Sequence, residues 1–265
     1  MKVSRLAVPA AVAGAWVVNL FEYAGGLALL LIRSIGGCFI RPVRVKLVFY
    51  EMWKIGVESW FIVAISCLFV GMVLAFQSAY QMQKLGAEIY IASLVSLSIV
   101  REIGPVMTAL IVAGRVGSAI AAELGTMKVT EQIDALVTLA VDPVRYLVVP
   151  RLIAALVALP LLTVWADAVG ILGGFIVGTV KLDIQPSLYW KLATVPLMFK
   201  DLNSGLLKSL MFAMIICVVS CYEGFRADGG AEGVGRATTR AVVSSFILII
   251  AADCVLTALI YFMWR

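Results

Sequence analysis

Long apolar runs, separated by short polar segments, dominate the pattern of this chain. Five runs reach the roughly 20 apolar residues that a helix needs to cross a bilayer. They are Trp60–Tyr80, Ile89–Leu124, Leu147–Val180, Leu202–Tyr222 and Val242–Trp264. Only helices satisfy every backbone hydrogen bond within one such run. The pattern therefore predicts an all-α, polytopic integral membrane protein.

A sixth apolar stretch, Leu6–Ile32, does not fit the same description. It contains Asn19 and Glu22, which interrupt its apolar character. Such a segment either crosses the membrane or lies along its surface as an amphipathic helix. The residues alone leave both arrangements open.

Two of the runs exceed the length of a single crossing. Ile89–Leu124 would measure about 54 Å as a helix, whereas the hydrocarbon core is about 30 Å thick. Gly104-Pro105 is expected to kink this run, because proline removes a backbone hydrogen bond. Pro150 and Pro160 predict the same for Leu147–Val180.

Composition supports a membrane protein and excludes several functions. The chain is 63% hydrophobic and 14% charged, and its mean hydropathy is +1.05. Histidine is absent from the sequence, which excludes histidine-based acid–base chemistry and metal ligation. We expect no catalytic residue and no metal site. The net charge of +5 is attributed to basic loops facing anionic lipid rather than to nucleic acid.

The distribution of lysine and arginine predicts the orientation. The segments 33–59, 125–146 and 223–241 together hold ten of these residues, including Arg41. The segments on the opposite side hold five, including Arg265. The positive-inside rule places the first set in the cytoplasm.

Charged residues inside the apolar runs are the main functional candidates, because each is costly in hydrocarbon. Arg101 and Glu102 are adjacent, and Arg115 returns to within about 40° of the face of Arg101. Thr108 and Glu123 lie on or near this stripe, which should face protein or a water-filled cavity. The alternative is that Arg101 is simply neutralised by Glu102 or by an acid on another helix.

Three further intramembrane charges are weaker candidates of the same kind. They are Asp167, Lys208 and Asp253. Lys208 either reaches the membrane surface or pairs with Asp253.

A polar connector after the second run predicts a short helix. Thr130 is a plausible N-cap, and Glu131 and Asp134 lie near the positive end of the helix. An apolar face follows at helical spacing, formed by Ile133, Leu136 and Val137. A short interfacial helix with an exposed acidic side suits a docking partner, although an ordinary connector has the same pattern.

Two glycine patterns complete the sequence description. Gly170, Gly174 and Gly178 recur every four residues, which predicts close helix packing. Asp228–Gly235 is glycine-rich but lacks the Gly-Lys-Ser/Thr ending of a phosphate loop, so a flexible turn is predicted. If transport is driven by ATP, another subunit must supply the ATPase.

Several ordered motifs resemble one family. They are Val100–Val106 (Val-Arg-Glu-Ile-Gly-Pro-Val), Ala113–Gly125, Met127–Leu136, Ala140–Pro143 and Arg236–Arg240 (Arg-Ala-Thr-Thr-Arg). From about residue 47 to the C-terminus, the sequence resembles the MlaE-type permeases. These are the membrane subunits of Mce-associated ABC transporters for phospholipids and related lipids.

The resemblance implies an architecture. Residues 1–265 would form one domain, with an N-terminal interfacial helix in 1–46 and five transmembrane helices in 47–265. A cytoplasmic coupling helix near 130–139 would contact the ATPase through Glu131, Gln132, Asp134 and Leu136. Two copies would form the membrane core.

The resemblance also implies partners. They are a cytoplasmic ABC ATPase, a periplasmic Mce-type lipid-binding subunit, a small cytoplasmic accessory subunit and phospholipid. No cofactor is expected in this chain, since ATP and magnesium would be used by the partner ATPase.

The implied function is phospholipid movement between the inner and outer membranes, which maintains outer-membrane lipid asymmetry. The protein would lie in the bacterial inner membrane, and its lipid cavity would include Leu74, Phe76, Tyr80, Arg101, Glu102, Lys208, Arg240 and Asp253. As a hypothesis, Arg101 and Lys208 attract the phosphate, Glu102 lies at the cavity edge, and the apolar residues line the path of the tails.

Three alternative functions belong to other classes of protein. An ion-coupled secondary transporter would use the charged groups as a relay and would need no ATPase. A structural scaffold would leave the intramembrane charges unexplained. An intramembrane enzyme is disfavoured, since no nucleophile–base pair stands out.

Overall fold

The computed structural model describes residues 4–38, 44–84, 86–87 and 90–263. Within these ranges every regular element is a helix. Four residues named above lie outside the described residues, namely Arg41, Ile89, Trp264 and Arg265.

Eleven α-helices occupy the described part of the chain. They are α1 Ser4–Cys38, α2 Val45–Met52, α3 Trp60–Gln83, α4 Ile91–Ser98, α5 Gly104–Val112, α6 Ser118–Val129, α7 Gln132–Thr138, α8 Val149–Val180, α9 Pro186–Thr194, α10 Phe199–Phe225 and α11 Gly230–Met263. Four π-helical turns connect neighbouring helices: Trp53–Val57, Ile99–Ile103, Ala113–Gly117 and Val144–Val148.

The helices and π turns combine into five segments long and apolar enough to cross a membrane. They are Val45–Gln83, Ile91–Val129, Val144–Val180, Phe199–Phe225 and Gly230–Met263. The prediction of a multi-pass, all-α membrane protein with five spans is confirmed. The largest differences in bounds are at two starting points: the first span begins fifteen residues before Trp60, and the last span begins twelve residues before Val242.

The earlier start of the last span corrects the prediction of a flexible turn over Asp228–Gly235. Within this stretch only Asp228 and Gly229 lie outside a helix, and Gly229 and Gly230 have φ angles of 76° and 74°, which glycine adopts readily. From Gly230 onward the chain is helical. The remaining glycines of the stretch therefore belong to the first turns of α11.

A π turn lies directly before Gly104-Pro105, where the sequence predicts a kink. Ile99–Ile103 ends immediately before Gly104, so Pro105 lies in the first turn of α5. Because Pro105 has no N–H, the helical ladder lacks one hydrogen bond at this point. Val144–Val148 precedes Pro150 at the start of α8 in the same way.

Glycines bring α3 and α8 into close contact. A Cβ atom added at Gly71 would lie 2.0 Å from the carbonyl oxygen of Gly170, and one at Gly173 would lie 2.2 Å from that of Leu68. Gly174 and Gly178 face the ring of Tyr189 on α9. The glycine stripe of α8 thus packs within the chain, and the predicted homodimer rests on the family resemblance rather than on this stripe.

The N-terminal segment forms one long helix, α1, which packs against the bundle through its second half. Tyr23 meets Tyr222 of α10 with ring centroids 5.3 Å apart. Leu30 is buried, and Gly37 lies against Val149 at the start of α8. The division at residue 46 and the interfacial position of this helix stay predictions.

Candidate functional site

A polar cavity of about 470 Å³ opens between the π turn Ile99–Ile103, the start of α10 and the end of α11. We call it the ion cavity. Its lining combines charged and apolar side chains, namely Arg101, Glu102, Met198, Lys200, Asp201, Ser204, Lys208, Thr257, Ile260 and Tyr261. Three of the residues predicted for the lipid cavity, Arg101, Glu102 and Lys208, therefore meet here.

Arg101 forms an ion pair with Asp201 at the edge of this cavity. Its Nε donates to Asp201 Oδ1 at 2.7 Å, and its Nη2 lies 2.7 Å from the same oxygen. Asp201 is fixed in turn, because its Oδ2 accepts the backbone N–H of Met198 at 2.9 Å. Only 2% of the Asp201 side chain is exposed, against 52% for Arg101. The pair thus anchors a guanidinium whose outer edge faces the cavity.

Lys208 occupies the floor of the ion cavity and is surrounded by oxygen atoms. Its Nζ donates to Glu102 Oε2 and to Thr257 Oγ1, the latter at 2.7 Å, and lies 2.9 Å from Asp253 Oδ1. The Lys208 side chain is 1% exposed. Its pairing with Asp253 is the alternative weighed from the sequence, and its ammonium is engaged by protein rather than open to a phosphate.

Arg101 and Glu102 line the same cavity, although adjacent positions on an ideal helix point about 100° apart. The two residues lie within the π turn Ile99–Ile103, whose wider i→i+5 geometry changes the angle between successive side chains. Both residues therefore line one cavity, with Arg101 half-exposed and Glu102 less so. Glu102 does brace neighbouring helices, through Lys208 of α10 and Thr257 of α11.

The accessible cations of the cavity are Arg101 and Lys200. Lys200 is exposed and lies in the first turn of α10, one residue before Asp201. Apolar atoms of Met198, Ile260 and Tyr261 line the same space. The cavity therefore combines positive charge with apolar walls, as an amphiphilic anion requires.

The other predicted cavity residues lie elsewhere in the chain. Phe76 and Tyr80 are exposed on α3, and Leu74 packs against the core cluster that includes Ala75. Their role along the path of the tails stays a prediction. Arg240 pairs with Glu223 at 3.4 Å, about 20 Å along α11 from Asp253. The structure therefore does not bring Arg240 to the ion cavity.

Asp167 is separate from the ion cavity but close to its π turn. It lies buried in α8, and a Cβ atom added at Gly104 would lie 1.8 Å from its Oδ1. The small size of Gly104 thus lets α8 approach the turn that carries Arg101 and Glu102.

The predicted coupling residues lie on or beside α7. Gln132 begins the helix, and Glu131 precedes it with a φ of 61°. Asp134 is exposed and accepts two hydrogen bonds from Lys128, at 2.9 and 3.0 Å. Leu136 packs against the core beside the buried Ile133. An acidic outer side and an apolar inner side are therefore present.

Two details of this helix differ from the sequence prediction. Thr130 is not its N-cap, since it ends α6 and its hydroxyl donates to the carbonyl oxygen of Thr126 at 2.8 Å. Val137 is 57% exposed rather than part of the buried face. With Glu131 as its N-cap, α7 begins at Gln132, one residue later than an N-cap at Thr130 implies.

A second set of charges links α2, the π turn Trp53–Val57, α6 and α8. Arg151 is 3% exposed, and it contacts Glu51 Oε1 at 3.0 Å and Glu123 Oε1 at 2.8 Å. Lys54 Nζ donates to Glu123 Oε2 at 2.8 Å. We call these four residues the buried ion network, and it lies on the same side of the bundle as α7.

Arg115 also faces protein but contacts a different helix from Arg101. Its Nη2 donates to Glu58 Oε2 at 2.7 Å and its Nη1 to Ser59 Oγ at 2.8 Å. The predicted polar stripe of Arg101, Arg115 and Glu123 thus faces protein, as expected. Its members contact three separate neighbours rather than one cavity.

The sequence prediction missed Asp201, Lys200 and the network around Arg151. An acidic residue in the first turn of a span was the available signal for Asp201, since this position suits the helix dipole. Arg151 is the third residue of α8, a position where a basic residue is typical of an anchor at the membrane surface. No sequence signal pairs it with Glu51, which lies 100 positions away.

Comparison with known proteins agrees with the geometry. The model of the Permease MlaE family matches residues 48–259. A probable ABC transporter permease protein of Rickettsia typhi is 43% identical over 94% of this chain and 96% of its own. The intermembrane phospholipid transport system permease protein MlaE of Haemophilus influenzae is 36% identical, over 94% and 95% respectively.

A chloroplast protein of Arabidopsis thaliana, trigalactosyldiacylglycerol 1, is 39% identical over 80% of this chain and 60% of its own length. The family match covers most of the chain, including the buried ion network, α7 and every lining residue of the ion cavity except Ile260 and Tyr261. The five spans agree with a membrane permease. This chain therefore belongs to the MlaE permease family of ABC transporters.

Proposed function

We propose that two copies of this chain form the membrane core of a phospholipid transporter in a bacterial inner membrane. A cytoplasmic ATPase drives the core, and the lipid passes through a space that includes the ion cavity. The transporter moves phospholipid between the inner and outer membranes and so maintains outer-membrane asymmetry. The relative in Haemophilus influenzae is named for intermembrane phospholipid transport, which supports this substrate class.

The observation that carries the proposal is the open cationic side of the ion cavity. Arg101 is half-exposed beside Lys200, while Lys208 is fully enclosed by Glu102, Asp253 and Thr257. An Arg–phosphate contact is a charge-assisted hydrogen bond, which is stronger than a neutral one. The phosphate is therefore assigned to Arg101 and Lys200, and Lys208 holds the floor of the cavity.

Coupling follows from the position of α7. Glu131, directly before the helix, and Asp134 on it would contact the ATPase, while the buried Ile133 packs the helix against the core. Movement of the ATPase would be transmitted through α7 to α6, which is tied to α2 and α8 by the buried ion network. The transport step consists of binding and a change of cavity shape, with no covalent chemistry in this chain.

Native mass spectrometry of the gently extracted complex tests the proposal. We expect two copies of this chain, an ATPase subunit, an Mce-type lipid-binding subunit and bound phospholipid in one assembly. A small accessory subunit would appear in the same spectrum. A complex with a single copy of this chain, or with no bound lipid, would contradict the proposal.

The same experiment separates this function from an ion-coupled carrier. Glu102, Lys208 and Asp253 form a continuous charged chain that such a carrier would use as a relay. A carrier works without an ATPase, so its complex would lack that subunit. The relatives named as ABC transporter permeases favour the ATPase-driven function.

A further inference from the structure

A second cavity of about 540 Å³ lies on the outside of the bundle, where α2, the π turn Trp53–Val57 and α3 pack beside α8. Its lining is almost entirely apolar and includes Phe49, Trp53, Gly56, Trp60, Leu161 and Trp165. Phe49, Trp53 and Leu161 are each at least 60% exposed. We call this feature the tryptophan groove.

The length of the tryptophan groove matches one leaflet of a bilayer. Phe49 and Trp60 are eleven residues apart, which corresponds to about 16 Å of helix. Half of a hydrocarbon core about 30 Å thick is about 15 Å. Trp60 and Trp165 close the inner end of the groove, with ring centroids 6.0 Å apart. A groove of this length accommodates one acyl chain.

The outer end of the groove carries a cation. Lys46 is exposed and lies three residues before Phe49 in α2, so the two side chains project from the same helix face. Lys46 is the second residue of the first span, at the end that the positive-inside rule places toward the cytoplasm. The cytoplasmic leaflet contains anionic lipids that attract such lysines.

We propose that the tryptophan groove is a binding site for an anionic phospholipid of the cytoplasmic leaflet. One acyl chain lies between α2–α3 and α8, and the headgroup phosphate contacts Lys46. The site is separate from the ion cavity, because the two cavities share no lining residue. Its occupant comes from the surrounding bilayer and is held at the outer surface rather than carried through the core.

The groove is suited to this occupant for two physical reasons. Both walls belong to membrane-spanning segments, so acyl chains surround it. The rings of Phe49, Trp53, Trp60 and Trp165 also give an acyl chain large apolar surfaces to pack against. An acyl chain in the groove would also cover Gly56. The space beside Gly56 is open, because an added Cβ atom would meet only Ala158, at 3.7 Å.

Quenching of tryptophan fluorescence by brominated lipids tests this site. The parent variant carries Trp16→Phe, Trp190→Phe and Trp264→Phe, which leaves the three tryptophans of the groove. It is placed in phosphatidylcholine nanodiscs with a minor fraction of either chain-brominated phosphatidylglycerol or chain-brominated phosphatidylcholine. We expect the anionic lipid to quench about fivefold more effectively per molecule, the preference that one lysine near the surface supports.

Two variants of the parent should abolish this preference, each for its own reason. Lys46→Gln removes the headgroup contact, and Gly56→Leu fills the groove. Matched controls are Lys181→Gln, which alters an exposed lysine in another segment, and Gly36→Leu, which places leucine where nothing lies within 4 Å of the added Cβ. Both controls should keep the preference.

Three results would overturn the proposal. Equal quenching by the two lipids in the parent would mean that the groove contacts bulk lipid without selection. No quenching by either lipid would mean that protein, such as a second copy of this chain, covers the groove. A preference that survives Lys46→Gln would place the headgroup elsewhere.

Discussion

The ion cavity and the buried ion network use the same kinds of charged residue for different purposes. Arg151 in the network is 3% exposed and divides its guanidinium between Glu51 and Glu123. Arg101 in the cavity is 52% exposed and uses only one edge of its guanidinium, on Asp201. Intramembrane charge therefore does not identify a binding site by itself. The distinguishing feature is a cation that still faces open space after its protein partners are counted.

The comparison also explains how the two regions relate to transport. The buried ion network joins α6 to α2 and α8, and α6 leads directly into α7. The ion cavity lies at the other end of the same second span. The buried ion network thus joins the helices at one end of this span, whereas the ion cavity at the other end keeps a half-exposed cation, Arg101. Under the proposed function, the first end lies toward the ATPase and the second end contacts the lipid.

The largest effect is expected from Arg151→Met. This change leaves Glu51 and Glu123 with Lys54 alone for compensation, and loss of one partner of a buried pair costs about 3–5 kcal/mol. The temperature midpoint of unfolding in detergent should fall sharply. It is measured by size-exclusion chromatography of heated samples. Arg145→Met is the matched control, since Arg145 is 53% exposed in its pair with Asp142. Equal losses in the two variants would show that the network is not structural.

Combining Arg151→Met with Glu51→Met sharpens the same test. The double variant removes a cation together with one of its buried acids, so it should recover much of the lost stability. A double variant less stable than Arg151→Met would mean that Glu51 stabilises the fold through contacts other than Arg151.

A smaller loss is expected from Lys208→Met. The variant leaves Glu102 and Asp253 without their shared cation, but these side chains are 41% and 23% exposed and are partly solvated. We expect a loss of about 2–3 kcal/mol in the same heating assay. Lys181→Met, at an exposed position, is the control and should change little. A loss as large as that of Arg151→Met would remove the distinction between the two regions.

Little loss of stability is expected from reversing the acids of α7. The double variant Glu131→Lys, Asp134→Lys should keep its free energy of unfolding within about 0.5 kcal/mol of the original, because both side chains are exposed. The variant should lose ATPase co-purification and transport. Asp183→Lys is a matched control, since Asp183 is exposed and also has a positive φ, at 51°. Unchanged ATPase binding in the double variant would exclude α7 from coupling.

Hydrophobic periodicity predicted the number of spans, because it depends on local sequence. The π turns were missed, since an ideal helix was assumed between Ile89 and Leu124. One of them, Ile99–Ile103, carries both Arg101 and Glu102 of the ion cavity. Pairs such as Arg101–Asp201 join residues 100 positions apart, which only the tertiary fold brings together.

Photocrosslinking to phospholipid tests the central claim, that Arg101 and Lys200 hold a lipid headgroup in the ion cavity. A photoreactive residue replaces Ile260, which lines the cavity, or Ile250, which is 59% exposed on the same helix. Each photoreactive variant is then combined with Lys200→Gln. This change is preferred to removal of Arg101, which would leave the buried Asp201 uncompensated. We predict that Lys200→Gln lowers crosslinking at position 260 about fivefold and leaves position 250 unchanged. Crosslinking at position 260 that is absent, or insensitive to Lys200→Gln, would contradict the account.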